Sequence, residues 1–479
     1  MKILLINLPR EGEVRDVATP DYLLYDFMNY PPLGLLAIAA GVDRRHSLEV
    51  VDVVARGLSI EGIVKIVCEG HPDLLGISVV TRRAFALCEI TRRVKSSLPG
   101  VKIVVGGPHV SAFPTETMYA ARPDFVLPGY GEMTFPALVE ALDRGGEGLI
   151  GTVPGLHYWK GDGVVSNPPA AVPLNIDDLP IPDRSFIRLG DYFSAADKER
   201  MTTMYTSRGC PFRCIFCDVG EKTFRYRSPS KIVDEFEYIG SLGIKEIHIF
   251  DDTFNVDRGR VIDVCREILR RKVKVRWSAR ARVMPFDREM AALAKEAGCR
   301  RLHVGVEAFD DGILKAIRKN ITLEQIYSFF GICNEFGIDT LAYFIVGFPQ
   351  ETEEYRRTLY ARLRSLKATY LYLNILYPTA KSLLYEEMLK NGVYRKDYWG
   401  EFIRRPVRDF ELPLCRPPEL QQELIRLVDD VHRNFYLSPR FIMNDLRRNM
   451  NMRMFLKKAK IAIKLLSRTA GVRKGGGRR

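Results

Sequence analysis

The sequence predicts an α/β protein with two parallel-stranded parts. An N-terminal doubly wound domain is expected over residues 1–145, and an incomplete (β/α)6 barrel over 201–415. Apolar, β-rich segments alternate with helix-length segments through both parts, which is typical of parallel sheets covered by helices on both faces. A connector over 146–200 and a helical C-terminal region over 416–479 complete the predicted organisation.

Five strand-like runs predict the first domain. They lie at 2–7, 48–54, 74–80, 102–107 and 124–129. Ligands of doubly wound sheets bind at the carboxyl ends of the strands, where "ISVVTRR" and "VVGGPHVSAF" are found. The connector is rich in Gly, Pro and Asp and lacks sustained periodicity, so we interpret it as a surface segment.

A second alternation begins at "MTTMYTSRGC" and predicts the barrel. Its further strand-like runs lie at 244–252, 273–282, 301–309, 340–349 and 370–378. Ser228 and Pro229 mark a helix start, as N-cap and first helical residue. Six β/α units are too few for a closed eight-stranded barrel, and the chemistry of such folds lies at the carboxyl ends of the strands.

Composition and charge exclude several classes of protein. Of the net charge of +13, residues 441–479 carry +11, from twelve Lys and Arg and one Asp, which leaves +2 for the rest of the 479-residue chain. The body therefore lacks the basic surface expected of a nucleic-acid-binding protein. No apolar run approaches the roughly 18 residues of a membrane span. The nine cysteines and the absence of a signal-peptide pattern favour a reducing cytoplasm.

Three cysteines share one short loop after the first barrel strand. Cys210, Cys214 and Cys217 follow a C-x-x-x-C-x-x-C spacing. Thiolates suit zinc or an iron–sulfur cluster. A structural zinc site requires a fourth ligand, which only the distant His248 or Cys265 would supply. Three thiolates on a four-iron cluster would instead leave one iron open to a small molecule.

The loop resembles the signature of radical S-adenosylmethionine (SAM) enzymes, with Phe216 in its aromatic position. The resemblance implies a [4Fe-4S] cluster on Cys210, Cys214 and Cys217, with SAM chelating the fourth iron. It further implies reductive cleavage of SAM to methionine and a 5′-deoxyadenosyl radical.

The resemblance extends to the strand ends, where it implies SAM contacts. "FDDTF" would contact the SAM amino group, "GVEAF" its polar end or ribose, and "FIVGFPQETEE" the adenine. Each charged residue among them has an alternative interpretation as a solvated strand cap. The SAM-binding candidates are Phe216, Asp251, Asp252, Arg282, Glu307, Val346 and Gly347.

The first domain resembles the Rossmann-like cobalamin-binding domain that precedes radical SAM barrels. The segments that carry this resemblance are "PPLGLLAIAA", "GIS" followed by Thr81, "VVGGPHVSAFP" and "DFVLPGYGE". The D-x-H-x-x-G motif is absent, so cobalamin is expected to bind without a histidine ligand. The alternative is a module that has lost its ligand or binds a nucleotide. The cobalamin-binding candidates are Ser78, Thr81, Gly106, Gly107, His109 and Gly129.

The basic tail allows two interpretations. Residues 455–468 place apolar side chains on one side of a helix and lysines on the other. Such a helix suits an anionic membrane surface, to which each basic residue contributes about 1 kcal/mol. It equally suits a solvated helix that covers the barrel.

Together, the two resemblances imply a cobalamin-dependent radical SAM enzyme that methylates an unactivated carbon or a phosphinate. One alternative is a radical cyclisation, rearrangement or coupling in lipid or tetrapyrrole-like metabolism, and another is a non-catalytic cobalamin or cluster sensor. The expected partners are a small-molecule or lipid substrate and a reductant such as flavodoxin or ferredoxin. We expect a cytoplasmic protein, at the inner membrane surface if the tail binds lipid.

Overall fold

The computed structural model forms two compact units. The first comprises 1–16, 31–191 and 388–413, and the second comprises 17–30, 192–387 and 414–479. The structure describes residues 1–14, 28–145, 147–171, 173, 175–194, 200–414 and 416–449. The predicted amphipathic segment at 455–468 lies outside these residues.

The first unit is built on a seven-stranded sheet. Its strands are β1 (Lys2–Asn7), β2 (Ser47–Val51), β3 (Leu74–Ser78), β4 (Lys102–Gly106), β5 (Phe125–Leu127), β6 (His157–Lys160) and β7 (Gly163–Ser166). Their order is β2-β1-β3-β4-β5-β6-β7, with β1 to β5 parallel. This is a doubly wound order. In such sheets, ligands bind at the carboxyl ends of the strands where the strand order reverses, which is between β1 and β3 here. The predicted fold class and all five predicted strands are confirmed.

Helices cover both faces of this sheet. They are α1 (Leu33–Ala40), α2 (Ile60–Gly70), α3 (Ala84–Ser97), α4 (Pro108–Ala112), α5 (Pro114–Ala121), α6 (Gly131–Asp143) and α7 (Glu147–Ile150). One core joins Leu4 and Ile6 to α2 and α3, and the other joins Ile3 and Leu5 to α1 and α6. Alternate residues of β1 point to opposite faces, so a strand buried on both sides is continuously apolar.

The connector is more ordered than its composition predicts. Within 146–200, strands β6 and β7 form an antiparallel hairpin that extends the sheet beyond β5. Gly161 and Asp162 are the two residues of its turn, and Gly161 has a φ of 61°. A Gly-containing two-residue turn is a recognised hairpin signal, so 157–166 form regular structure where irregular structure was predicted, and they lie at the surface as predicted.

Residues 388–413 join the first unit, although the predicted barrel extended to residue 415. A helix at Tyr398–Arg404 packs against α5. Trp399 and Phe402 of this helix are buried and stack with Phe410. These aromatic side chains form an apolar cluster within the segment.

The second unit contains a six-stranded parallel sheet. Its strands are β8 (Met201–Met204), β9 (Glu246–Ile249), β10 (Arg276–Ala281), β11 (Cys299–Glu307), β12 (Asp339–Val346) and β13 (Tyr370–Ile375), paired in chain order. The predicted partial (β/α)6 barrel is therefore confirmed. Two short antiparallel pairs accompany it, Met28–Asn29 with Phe193–Ser194 and Ser207–Arg208 with Arg225–Tyr226.

Helices alternate with these strands and continue beyond them. They are α8 (Pro229–Ser241), α9 (Arg258–Arg270), α10 (Arg288–Glu296), α11 (Asp311–Ala316), α12 (Leu323–Glu335), α13 (Glu353–Ser365), α14 (Leu383–Lys390), α15 (Pro418–Tyr436) and α16 (Pro439–Asn449). Ser228 caps α8 as predicted, because its side chain accepts a hydrogen bond from the N–H of Lys231. None of the helices in the described ranges combines the length and apolarity needed to cross a bilayer.

The barrel is open inside on its later strands. Leu341, Tyr343 and Ile345 are half-buried, whereas Ala342 and Phe344 between them are buried. The same alternation occurs at β13. The inward side chains of these strands thus line a space instead of filling a core.

Candidate active site at the carboxyl ends of the barrel strands

The three motif cysteines lie on the loop after β8, and none of them forms a disulfide. Gly209 precedes Cys210 with a φ of 80°, and a Cβ there would overlap the carbonyl oxygen of Thr223. Glycine is therefore required for the loop to turn. Burial raises the pKa of the Cys217 thiol to about 11.

A buried carboxylate anchors the base of this cysteine loop. Asp251, fully buried after β9, accepts hydrogen bonds from the backbone N–H of Thr206 (2.6 Å) and of Ser207 (3.0 Å). It also accepts from both hydroxyl groups, and Arg260 lies 3.5 Å away as its counter-ion. Because its oxygens are occupied, Asp251 positions the loop, and the prediction that it contacts SAM has no support in this geometry.

Asp252, by contrast, is exposed at the same strand end. It remains the residue of "FDDTF" whose carboxylate is open to a ligand. The neighbouring Thr253 places its hydroxyl 3.8 Å from the thiol of Cys210.

Arg282 reaches the cysteine loop from the end of β10. Its guanidinium donates to the thiol of Cys214 (3.6 Å) and to the carbonyl oxygen of Lys319. It stacks on Phe212 with 3.8 Å between the guanidinium carbon and the ring centroid. Arg282 therefore places a fixed positive charge beside the Cys214 sulfur.

The donor set fits an iron–sulfur cluster better than a single ion. Among the described residues, no group of three or more His, Cys, Asp or Glu side chains converges on one metal position. A four-iron cluster binds each thiolate through a different iron atom, so its ligands need not converge. Three free thiols on one loop, with a cation beside Cys214, match that requirement.

Glu307 occupies an irregular point of β11. The register with β12 shifts between Gly305 and Glu307, and Glu307 has a φ of 72°. Its carboxylate turns back to Lys319, 2.7 Å away, in a buried ion pair. A Cβ at Gly305 would overlap that carboxylate. The glycine of "GVE" therefore leaves the space that the glutamate side chain occupies. A SAM contact of Glu307 would have to coexist with this ion pair.

The predicted adenine segment is held by its own glutamate. Gly347, with a φ of 96°, donates its N–H to Glu351 (2.7 Å), and Phe348 does the same at 3.1 Å. Arg416 donates to the carbonyl oxygen of Gly347. Phe216 of the cysteine loop lies edge-on to Phe348, with 6.2 Å between ring centroids. Adenine contacts of Val346 and Gly347 stay predictions.

In the first unit, the predicted cobalamin residues meet at the carboxyl edge of the sheet. Gly107 has a φ of 102°, and a Cβ there would lie 2.8 Å from the carbonyl oxygen of Val79 and 3.1 Å from the hydroxyl of Ser78. Only glycine allows this close approach of the loops after β3 and β4. Gly106 ends β4, and Gly129 donates its N–H to Ser111.

His109 is buried at this edge. Its Nδ1 lies 3.2 Å from the hydroxyl of Thr81, and its ring packs against Phe113. Burial lowers its pKa to about 4, so the imidazole is neutral. It orients the loop that carries Thr81.

Sequence reasoning missed an interior cluster inside the barrel. It consists of His248, Ser278, Arg280, His303 and Tyr343, which line a cavity of about 50 Å³. The signal was present in "WSARARV", where Ser278, Arg280 and Arg282 alternate with apolar residues. Alternate positions of a strand share one face, so these polar groups point inward together.

Two family models match this chain. The B12 binding domain covers residues 27–139 and the radical SAM superfamily covers 204–363. An uncharacterized methyltransferase of Pyrococcus horikoshii is 31% identical over 93% of this chain and 95% of its own length. The chain belongs to the cobalamin-binding radical SAM family. The predicted enzyme class and cofactor set of this radical SAM protein, namely an iron–sulfur cluster, SAM and cobalamin, agree with that membership.

Two other comparisons bear on this cobalamin-binding radical SAM protein. An anaerobic magnesium-protoporphyrin IX monomethyl ester cyclase of Rubrivivax gelatinosus is 26% identical over 89% of the chain and 78% of its own length. The solved structure of the radical SAM methyltransferase TsrM from Kitasatospora setae, with cobalamin and a [4Fe-4S] cluster bound, has a TM-score of 0.65. It is 21% identical and covers 81% of this chain and 75% of its own, which shows a shared fold.

Proposed function

We propose that this protein is a cobalamin-dependent radical SAM methyltransferase acting on an unactivated carbon of a small molecule. The observation that carries the proposal is the three-thiol loop, fixed by Asp251 at the carboxyl ends of an open barrel. The likeness to a methyltransferase over almost the whole of both chains supports methyl transfer.

The residues of the second unit divide into holding and positioning roles. Cys210, Cys214 and Cys217 would hold the cluster, and Arg282 places a positive charge at Cys214. Asp252 is the open carboxylate for the SAM amino group. When bound, the cluster supplies the electron that cleaves SAM, and the cobalamin carries the methyl group.

The first unit would hold cobalamin without a histidine ligand. Gly106 and Gly107 would form the backbone platform for a flat ring, with the hydroxyl of Ser78 beside Gly107 and that of Thr81 beside His109. The burial of His109 and its contact with Thr81 support a positioning role for this imidazole.

The test is anaerobic reconstitution with iron, sulfide and cobalamin, followed by SAM carrying a deuterated methyl group and a strong reductant. Label on the cobalamin, together with 5′-deoxyadenosine, supports the methyltransferase. Deoxyadenosine with no label on cobalamin or on any product would favour the cyclase class, to which the Rubrivivax relative belongs. If protein with a complete cluster gives neither labelled cobalamin nor 5′-deoxyadenosine, both the methyltransferase and the cyclase assignments are rejected.

Partners and compartment form part of this proposal. The electron would come from a flavodoxin or ferredoxin, and the half-buried free thiols of the motif loop would require a reducing compartment such as the cytoplasm. Lipid substrates and membrane contact through the tail stay predictions, as do the exact domain limits.

A further inference from the structure

The interior cluster contains a polar side chain without a partner. Ser278 on β10 is 4% exposed, and its hydroxyl oxygen finds no hydrogen-bond partner among the described residues. A buried hydroxyl left unpaired costs about 1–3 kcal/mol. Because this side chain lines the cavity, a ligand group there would satisfy it.

Arg280, which is itself exposed to solvent, brings a positive charge to the same cavity. It lies two residues after Ser278, so both side chains are on the same face of β10. Its guanidinium stacks on Phe250, 4.1 Å from the ring centroid. Within the described part of the chain, it makes no ion pair with a carboxylate. Asp252 is near enough to influence it electrostatically without pairing.

The remaining polar groups of the cavity are imidazole rings and phenol hydroxyls. The hydroxyl of Tyr343 lies 3.3 Å from Nδ1 of His303, and His248 lies 3.5 Å from the hydroxyl of Tyr30. Burial raises the pKa of Tyr343 to about 12, so its hydroxyl keeps its proton. No carboxylate lines this cavity in the described residues.

From this arrangement we propose that the interior cluster binds an anionic oxygen group of the substrate, a carboxylate or a phosphate. Arg280 is the counter-charge, and the hydroxyl of Ser278 is the unpaired donor. The cavity of about 50 Å³ has space for about four water molecules at ~10–15 Å³ each. It therefore accommodates a carboxylate or phosphate group, with the rest of the substrate towards the open end of the barrel. This inference names the substrate class and rests on the proposed function.

The experiment is calorimetric titration of inorganic phosphate and of acetate into the reconstituted, SAM-loaded protein. The wild type is expected to bind at least one anion saturably, and the tighter anion identifies the group. Arg280→Gln should weaken that binding by about 3-fold to 10-fold, since it removes a charge-assisted hydrogen bond at a solvent-exposed position. Ser278→Ala should weaken it several-fold. The matched control is Arg357→Gln, at an exposed site on helix α13.

Three results would overturn the proposal. They are no saturable binding of either anion by the wild type, equal binding by Arg280→Gln, and a parallel loss of SAM affinity in that variant. The last result would assign Arg280 to SAM instead. Because the titration needs no turnover, its outcome is separate from that of the labelled-methyl assay, and failure of methyl transfer with anion binding intact would reject only the proposed function.

Discussion

A single buried carboxylate determines the position of the cysteine loop. Asp251 accepts hydrogen bonds from two consecutive backbone N–H groups and two hydroxyls, and it forms an ion pair with the guanidinium of Arg260. The cysteine loop begins directly after Thr206 and Ser207, so the position of these two residues determines that of the first cysteine. Removing the charge leaves a buried guanidinium without its counter-ion, which is more costly than the pair itself is stabilising.

Asp251→Asn is therefore expected to destabilise the second unit by about 3 kcal/mol and to lower the iron content after reconstitution. The measurements are thermal unfolding and iron per chain. Asp263→Asn, at an exposed position of α9, is the control. Wild-type iron content in Asp251→Asn would show that the loop does not depend on this anchor.

Gly305 makes room for the ion pair of Glu307 and Lys319. Gly305→Ala would push a methyl group into the carboxylate, so we expect the pair to separate and stability to fall by about 2 kcal/mol or more. Gly331→Ala is the matched control, because α12 leaves open space there and alanine should stabilise a helix by ~1 kcal/mol. Equal effects of the two substitutions in calorimetry would contradict this account.

The sequence predicted the cysteines well but not the roles of the charged residues around them. A C-x-x-x-C-x-x-C spacing is rare enough to indicate a cluster by itself. Asp251 and Asp252 are adjacent and chemically identical, and only the fold shows that one is buried under Thr206 and the other exposed. His248 and His303 are isolated in sequence, so their proximity depends on the pairing of three strands.

At the scale of elements, helix α15 protects the edge of the barrel sheet. β13 is an edge strand, and open edges invite pairing with other chains. His432 accepts a hydrogen bond from the N–H of Leu373 (3.0 Å). Tyr436 accepts from the N–H of Leu371 and donates to its carbonyl oxygen. Two side chains of a helix thus take the place of a neighbouring strand.

This docking predicts a pH dependence of stability. Burial lowers the pKa of His432 to about 4, against about 6.5 in an unfolded chain. Between these values the unfolded state binds the proton and the folded state does not, so stability falls as the pH drops from about 6.5 towards 4. The loss from one such group at pH 5.5 is about 1 kcal/mol relative to pH 7.5.

His432→Gln can retain the acceptor for Leu373 but cannot titrate. Its thermal unfolding temperature should therefore decline less than that of the wild type between pH 7.5 and 5.5. The buried His109 shares the direction of the shift, so part of the decline should persist. Parallel curves for both proteins would show that His432 does not contribute.

Element boundaries were less predictable than element types. Long apolar runs such as that of β1 predict buried strands directly, because a strand that is buried on both faces has no polar positions. The hairpin of β6 and β7 and the helix at 398–404 depend on contacts with distant parts of the first unit. Local composition cannot show that such partners exist, so the connector appeared irregular.

At the scale of the whole molecule, the chain contains two modules that each present a ligand-binding edge. The first presents glycines and hydroxyls at the carboxyl edge of a doubly wound sheet, and the second presents three thiols at the carboxyl ends of a partial barrel. Each is the edge at which its fold binds ligands.

The central claim is that the three-thiol loop supports cleavage of SAM. The most direct measurement is the yield of 5′-deoxyadenosine from the anaerobically reconstituted protein with SAM and a strong reductant. The account predicts product from the wild type and from Cys68→Ala, which alters a cysteine of the first unit, and none from Cys214→Ala. Equal yields from Cys214→Ala and the wild type, or no product from a wild type with a complete cluster, would contradict it.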